Sequence, residues 1–391
     1  MTYKNVIPDN GNMPHITFLY QNPQKGKIMK KKHLTLIVAF VLMLGLLSGC
    51  GNTAANEETT SEEAKVTTEA ATEAATEADK PDIDVKSGVI MNDRSGNEIT
   101  VPDEVNKIIS MAPSTTRFLI DLGLADKIIA IDTNSAAYID SLSSSVKQFD
   151  MMAPDNEALV AMEPDIIFTS GMSNVGGDDA FQPARDAGIC VADIPSSTSF
   201  DDIAKDLEFI AAAVHAEEKA APIIKDFQDK IAEIKKIGDG ISEKKTILFE
   251  ISLPSADYPS IYTFGSGTYL DEMITTIGAK NVAGDQQSWI SVSEEDAIAM
   301  NPDVIITNVN YVNDPEGAIL IAEGWEEVTA IKNQAVYYID ADSSNQPNNH
   351  VVDAMIQMAK YVYPDEFSSF SDPFATSTDA TASDASSTDA E

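Results

Sequence analysis

The feature that most constrains this chain is a 13-residue segment that occurs twice. Glu157-Ala-Leu-Val-Ala-Met-Glu-Pro-Asp-Ile-Ile-Phe-Thr169 recurs as Glu295-Asp-Ala-Ile-Ala-Met-Asn-Pro-Asp-Val-Ile-Ile-Thr307, offset by 138 residues at every matched position. Each copy opens with an acidic residue suited to the first turn of a helix. Each then breaks at a proline, which lacks the N–H that a helix interior needs, and continues as an apolar strand. A helix-to-strand connection repeated at fixed spacing implies two equivalent α/β lobes.

The rest of the core follows the same grammar. Short β-branched runs at 107–110, 127–131, 165–169, 189–193, 246–251, 303–307 and 335–339 read as strands. Segments with apolar spacing of three and four lie between most of them, the pattern of βαβ units and mostly parallel sheets. Asp93-Arg94-Ser95-Gly96 within 89–101 reads as a hairpin turn. Between the two copies, Ser199 with Asp202 forms a variant capping box, followed by the stripe Ile203, Leu207, Ile210 and Val214. A second stripe, Ile223, Phe227, Ile231 and Ile234, predicts a helix near 220–237 that ends at Gly238, with Pro222 in its first turn. The expected organisation is an N-terminal lobe at 84–214, a connecting helix at 215–240 and a C-terminal lobe at 241–366. The fold class is α/β, two Rossmann-like lobes joined by a single long backbone helix. Such a stiff joint predicts small closure rather than a wide swing.

The two ends read differently. Lys30-Lys31-Lys32 precede an apolar run of about 14 residues, 34–47, that stops at Leu47-Ser48-Gly49-Cys50. A basic segment, a short apolar run and small residues describe a secretory signal, and a bilayer span needs roughly 20 residues. The cysteine after Leu-Ser-Gly resembles the lipobox of bacterial lipoproteins, in which Cys50 would receive a diacylglyceryl group. Residues 1–49 therefore read as an upstream extension plus signal peptide, with Met29 as the expected start. Residues 50–83 are rich in Thr, Glu and Ala and read as a disordered acidic tether; 367–391, rich in Ser, Thr, Asp and Ala, read as a disordered tail.

Charge and cysteine exclude several functions. The chain carries a net charge of −37, and without residues 1–49, which hold six lysines and one aspartate, about −42. That balance argues against nucleic acid or anionic lipid as a partner. Cys50 and Cys190 are the two cysteines, so lipidation of the first leaves no intramolecular disulfide and no thiolate cluster. Cys190, in Ile189-Cys190-Val191, reads as a small apolar strand residue. After residue 49 only His215 and His350 remain, too few for a multi-histidine metal site.

The run Lys107-Ile-Ile-Ser-Met-Ala-Pro-Ser-Thr-Thr116, then Leu122-Gly-Leu-Ala-Asp-Lys-Ile-Ile-Ala130, resembles the opening of the cobalamin- and ferric-siderophore-binding proteins of ABC importers. The two Pro-Asp copies, the Gly265-Ser266-Gly267 loop and residues 347–364 extend the resemblance over about 85–366. It implies a cleft between the lobes that holds a metal chelate (a ferric siderophore, haem or corrinoid), with no intrinsic cofactor. It also implies an extracytoplasmic monomer, anchored through its lipid, that serves a permease and its ATPase. Glu157 and Glu295 match the surface glutamates, one per lobe, that engage permease arginines in this family. Each also suits a helix N-terminus on charge alone, worth about 0.3–1 kcal/mol. Trp289 matches an aromatic cleft position, and equally suits a core.

Two departures bear on the ligand. Arg117 stands where many relatives have Glu, and His350 where many have Arg. Arg94, Arg117 and Arg185 are the chain's arginines, so the guanidinium clamps that suit strongly anionic chelates are scarce. Loops at the C-terminal ends of strands supply the candidate lining. In the first lobe these are Ser114, Thr115, Met151, Met152, Ser170 and Met172. In the second they are Phe264, Ser266, Trp289, Asn308, Tyr311, Asn345, Gln346 and His350. Thioether, aromatic and amide groups suit a bulky ligand of low net charge. His350 is a candidate axial ligand to a chelated metal, although a lone histidine is more often a hydrogen-bonded structural group. The sequence holds no Walker loop, dinucleotide fingerprint or Gly-x-Ser-x-Gly elbow, which weighs against an enzyme. A sensor or adhesive lipoprotein on the same scaffold is the alternative. Peptide mapping of the unprocessed precursor should find nothing from before Met29; any such peptide would refute the upstream-start reading.

Overall fold

The computed structural model describes residues 87–174 and 179–375. Cys50, the expected signal segment and all of the tether at 50–83 lie outside them, as do residues 376–391 of the expected tail.

A hairpin of β1 (Gly88–Asn92) and β2 (Glu98–Pro102) opens the chain, its turn held by the Asp93 carboxylate, which accepts from the N–H groups of Ser95 and Asn97 at 2.9 Å each. The first lobe follows as β3 (Ile108–Ser110), α1 (Pro113–Asp121), β4 (Ile128–Asp132), β5 (Lys147–Phe149), α2 (Asn156–Ala161), β6 (Ile166–Phe168), α3 (Gln182–Asp186) and β7 (Cys190–Ala192). Its parallel sheet has the order β5-β4-β3-β6-β7. The chain then runs through α4 (Phe200–Ala213) and α5 (Glu217–Gly238).

The second lobe comprises β8 (Thr246–Glu250), β9 (Ser260–Phe264), α6 (Tyr269–Thr276), β10 (Lys280–Asn281), β11 (Trp289–Ser293), α7 (Glu294–Met300), β12 (Val304–Thr307), α8 (Pro315–Leu320), α9 (Thr329–Lys332), β13 (Val336–Tyr338), α10 (Ala341–Ser344) and α11 (Val351–Val362). Its sheet is parallel in the order β10-β8-β12-β13, with β9 and β11 forming a separate antiparallel ribbon.

The repeat acquires a physical meaning here. Asp155 and Ser293, 138 residues apart, cap the repeated helices, accepting from Ala158 N and Asp296 N at 3.0 and 3.1 Å. Glu163 and Asn301, also equivalent, turn the chain through left-handed backbone with φ of 51° and 45° just before each proline. The aspartate after the proline then ties its strand to the centre of its sheet. Asp165 Oδ2 accepts from the N–H groups of Asn106 and Lys107 at the start of β3, and Asp303 Oδ2 accepts from Thr246 N and Oγ1 at the start of β8.

Alternation along the strands builds the core. Ile108, Ile166 and Phe168 face one side of the first sheet; Ile247, Phe249, Val304 and Ile306 face one side of the second. All seven join a single buried cluster with Phe209 and Ile210 of α4, Phe227 and Ile234 of α5, and Val351 and Met355 of α11. Ile109 and Ile167 turn to a separate cluster on the far side of the first sheet, and Leu248 and Ile305 to one on the far side of the second. Sheets buried on both faces explain why these strands read as continuous apolar runs. Where α5 ends, backbones touch: a Cβ on Gly238 would lie 2.2 Å from the carbonyl oxygen of Thr276.

Several expectations need correction. The helix starts at Glu217, so Pro222 lies inside it rather than in its first turn, and the carbonyl of residue 218 loses its usual donor. Ser199 caps α4 as expected, but Asp202 reaches back one residue further, to Thr198 N and Oγ1 at 3.2 and 2.9 Å. The tail expected from 367 begins later. Phe367 is fully buried and Phe370 packs on the same cluster, because two aromatics three residues apart outweigh the polar residues around them. Strands β5 and β10, Lys-Gln-Phe and Lys-Asn, lie at sheet edges and carry no apolar pattern to reveal them. Asp303→Ala should lower stability by about 1.5–3 kcal/mol in urea denaturation, since both partners of its carboxylate are lost at once; an unchanged midpoint would show that the repeat's aspartate is ornamental.

Candidate functional site

The C-terminal ends of the two parallel sheets meet across the lobes. Tyr138, in the 3₁₀ segment Thr133–Ser141 after β4, donates its hydroxyl to Gln346 Oε1 in the loop after α10. Asn349 Nδ2 donates to Asp121 Oδ2 of α1 at 3.1 Å, and His350 Nε2 lies 2.9 Å from the same oxygen. Phe200 N, opening α4, donates to Glu272 Oε2 of α6 at 2.7 Å.

The first lobe's candidates separate into two groups. In the turn into α1, Thr115 is buried and Thr116 Oγ1 is tied to Ser110 Oγ and Ala112 O at 2.8 and 3.0 Å, which leaves Ser114 half-buried at the rim. After β6, Ser170 Oγ lies 3.5 Å from Met151 Sδ and accepts from Met172 N at 3.2 Å. Met151 is buried, Met152 half-buried and Met172 exposed. One thioether, that of Met151, thus contacts this hydroxyl.

In the second lobe Trp289 stacks on Tyr262, with centroids 6.1 Å apart and planes at 13°. Phe264 and Tyr269 approach its edges at 6.0 and 6.5 Å. Trp289 stays half-buried, whereas Phe264 is fully buried among the shared core residues, which corrects its expected place in the lining. Ser266 Oγ is spent on Gln286 O at 2.8 Å. Asn308 is buried and donates Nδ2 to Asn345 Oδ1 and Ser344 Oγ at 2.6 and 3.0 Å, yet its Oδ1 has no partner among the described residues. Tyr311 is 61% exposed, its hydroxyl accepting from Leu253 N at 3.1 Å and so joining the loops after β8 and β12. Tyr258 in the first of these loops is 76% exposed and was not singled out from the sequence.

His350 is held at both ring nitrogens. Its Nδ1 lies 3.0 Å from Asp353 Oδ2 while Nε2 meets Asp121, so neither ring nitrogen has a lone pair free for a metal. Burial works against the charged ring, but hydrogen bonds to Asp121 and Asp353 outweigh it and raise its pKa to about 9. Cys190 is half-buried in β7, and burial pushes its thiol up to about 12. That suits the apolar reading and leaves little thiolate. A recess of about 480 Å³ lined by Lys244, Lys245, Tyr337 and Tyr361 opens at the opposite, N-terminal end of the second sheet, away from this chemistry.

Two α/β lobes meeting at their strand ends define a bilobal solute-binding protein. The chain belongs to the periplasmic binding protein family, whose pattern matches residues 108–343. The uncharacterized ABC transporter substrate-binding lipoprotein YvrC of Bacillus subtilis is 30% identical over 342 residues, covering 86% of this chain and 99% of that one. A cobalamin-binding protein of Halobacterium salinarum is 24% identical over 276 residues, 68% of this chain and 72% of that one. The molybdate-bound structure of MolA from Haemophilus influenzae shares the fold with a TM-score of 0.62 at 20% identity, over 72% of this chain and 93% of that one. These relatives are solute-binding proteins rather than enzymes. Among the described residues no helix is long and apolar enough to cross a membrane.

One buried acid lies at the strand ends without having been anticipated. Glu250 ends β8, is 2% exposed, and its Oε1 has no partner among the described residues; nor has Thr263 Oγ1 on β9. The signal was an acid closing the run Thr-Ile-Leu-Phe-Glu, since buried carboxylates are rare. Burial, and then the charge of Glu294, raise its pKa from 4.5 to about 8. The folded state thus keeps a proton that the unfolded chain sheds, so this group costs stability as pH rises from about 4.5 to 8. Glu250→Gln should flatten that decline and raise stability at pH 8 by roughly a few kcal/mol; parallel pH–stability curves for the two proteins would place the carboxyl in contact with water.

Proposed function

We propose that this protein is the extracytoplasmic substrate-binding lipoprotein of an ABC importer, held to the membrane through a diacylglyceryl group on Cys50. In this reading it captures a bulky metal chelate of low net charge, an iron complex or a corrinoid, and delivers it to a permease and its ATPase. Family membership supports the importer class. The ligand class rests on one observation: the segments that follow the strands at the facing ends, 111–112, 133–146, 150–155, 169–181, 193–199, 251–259, 308–314 and 339–350, contain no lysine or arginine. They carry aspartates instead, among them Asp140, Asp150, Asp257, Asp314 and Asp342. A bare oxyanion or a catecholate complex would find no lysine or arginine there. Exposed Met172 and Tyr311, half-buried Trp289 and the partly satisfied amide of Asn308 offer apolar faces and hydrogen bonds instead. The long α5 between the sheets favours small closure. Titrating the chain with cyanocobalamin, haemin and ferrioxamine B while following tryptophan fluorescence should show binding of at least one; binding only of a catecholate complex or a free metal ion would overturn the ligand class.

Docking is assigned to Glu157 and Glu295. Each is exposed at the second position of its helix, and neither carboxylate has a partner among the described residues. A charge so placed adds little to folding, yet across an interface each would meet a permease cation. Losing one partner of a desolvated pair costs about 2–5 kcal/mol. Replacing both by alanine should leave ligand affinity and thermal stability nearly unchanged while abolishing uptake; intact uptake with impaired ligand binding would move both residues into the cleft.

A further inference from the structure

Arg117 and His350, the two positions at which the chain departs from its family's pattern, meet at one carboxylate. Asp121 Oδ1 takes Arg117 Nε at 3.0 Å and Nη2 at 2.9 Å, within α1. Its Oδ2 takes His350 Nε2 and Asn349 Nδ2 from the other lobe, at 2.9 and 3.1 Å. On its far side the imidazole meets Asp353 Oδ2 of α11. We propose that His350 is a positioning residue for ligand capture: as an imidazolium it ties the second lobe to Asp121 of the first, and losing its proton loosens the cleft.

Donor arithmetic carries the argument. Ionised carboxylates only accept, so a ring with a carboxylate at each nitrogen must carry a proton on both. Deprotonation turns one of the two contacts into a lone pair facing a carboxylate, and rotation of the ring to relieve it breaks the bond across the lobes. The charged groups facing the ring are Arg117 and Asp121 on α1 and Asp353 on its own helix. Arg117 opposes the ring's charge, but its guanidinium is spent on the other oxygen of Asp121. Tyr138, in the neighbouring segment after β4, is held neutral by burial, its hydroxyl raised to about 12, and adds an uncharged second tie through Gln346. Burial works against the ionised Asp121, but its bonds to His350 and Arg117 prevail and lower its pKa, so it stays an acceptor well into the acid range.

The direction of the pH effect follows. With the lobes tied, His350 holds its proton to about pH 9; with them apart it loses Asp121 but keeps Asp353, and its pKa falls from there towards its ordinary value of 6.5. The tie is therefore at full strength below 6.5 and is lost as pH rises towards 9. Neutral and mildly acid surroundings favour the narrow cleft, and alkaline ones release it. None of this depends on which ligand is carried.

Two measurements on the full chain test the tie. In ¹³C-histidine NMR, His350 should titrate near 9 in the wild type and fall towards 6.5 in Asp121→Asn. Hydrogen exchange in 117–122 and 346–354, corrected for its intrinsic pH dependence, should accelerate together between pH 6.5 and 9, by up to about tenfold per unit. His350→Arg, which keeps its charge, should abolish that dependence, and His350→Gln should exchange fast throughout. A wild-type His350 titrating near 6.5, or exchange in these segments that is independent of pH in the wild type, would overturn the proposal; the first needs no variant to fold.

Discussion

Everything in this molecule rests on one apolar cluster that belongs to neither lobe alone. Ile108, Ile166 and Phe168 enter it from the first sheet, Phe249 and Ile306 from the second, and Phe209, Ile210, Phe227 and Ile234 of α4 and α5 fill the space between. Each such side chain contributes about 1.5–3 kcal/mol by leaving water. Pulling the lobes fully apart would re-expose many of them together.

The polar groups are arranged unlike the core. Buried polar atoms nearly always find partners, yet Asn308 Oδ1, Asn348 Nδ2, Glu250 Oε1 and Thr263 Oγ1 have none among the described residues. These four lie at or near the strand ends of the second lobe, where parallel sheets commonly place their ligands; in the first lobe Ser173 Oγ after β6 and Asn156 Oδ1 of α2 are likewise without partners among the described residues. The first lobe adds the Met151 thioether against Ser170 Oγ.

Charge is handled with similar economy. Arg94 is spent on Asp206 and Asp202, Arg185 on Asp179 and Asp193, and Arg117 on Asp121. Every arginine thus stabilises the scaffold, which leaves the facing loops with carboxylates and no lysine or arginine.

The two-lobe architecture was legible because it is written in local chemistry. Proline breaks a helix wherever it falls, and a strand buried on both faces must be apolar at every position. Hence the seven expected strands, the two repeated helices and the hairpin at Asp93 all lie where the residues placed them. Phe264 could not be assigned in this way, because an aromatic beside a glycine loop suits a cleft and a core equally until its neighbours Phe249 and Trp289 are known. The edge strands β5 and β10 were invisible, since pairing along one side demands no apolar pattern. His350 was least legible of all: its role depends on Asp121, 229 residues away, and on Asp353 beside it, a partnership that exists only once the two lobes have met. Periodicity, punctuation and charge balance were properties of the sequence, whereas the pairing of distant polar groups, set by the geometry between two folded bodies, was decided by the tertiary structure alone.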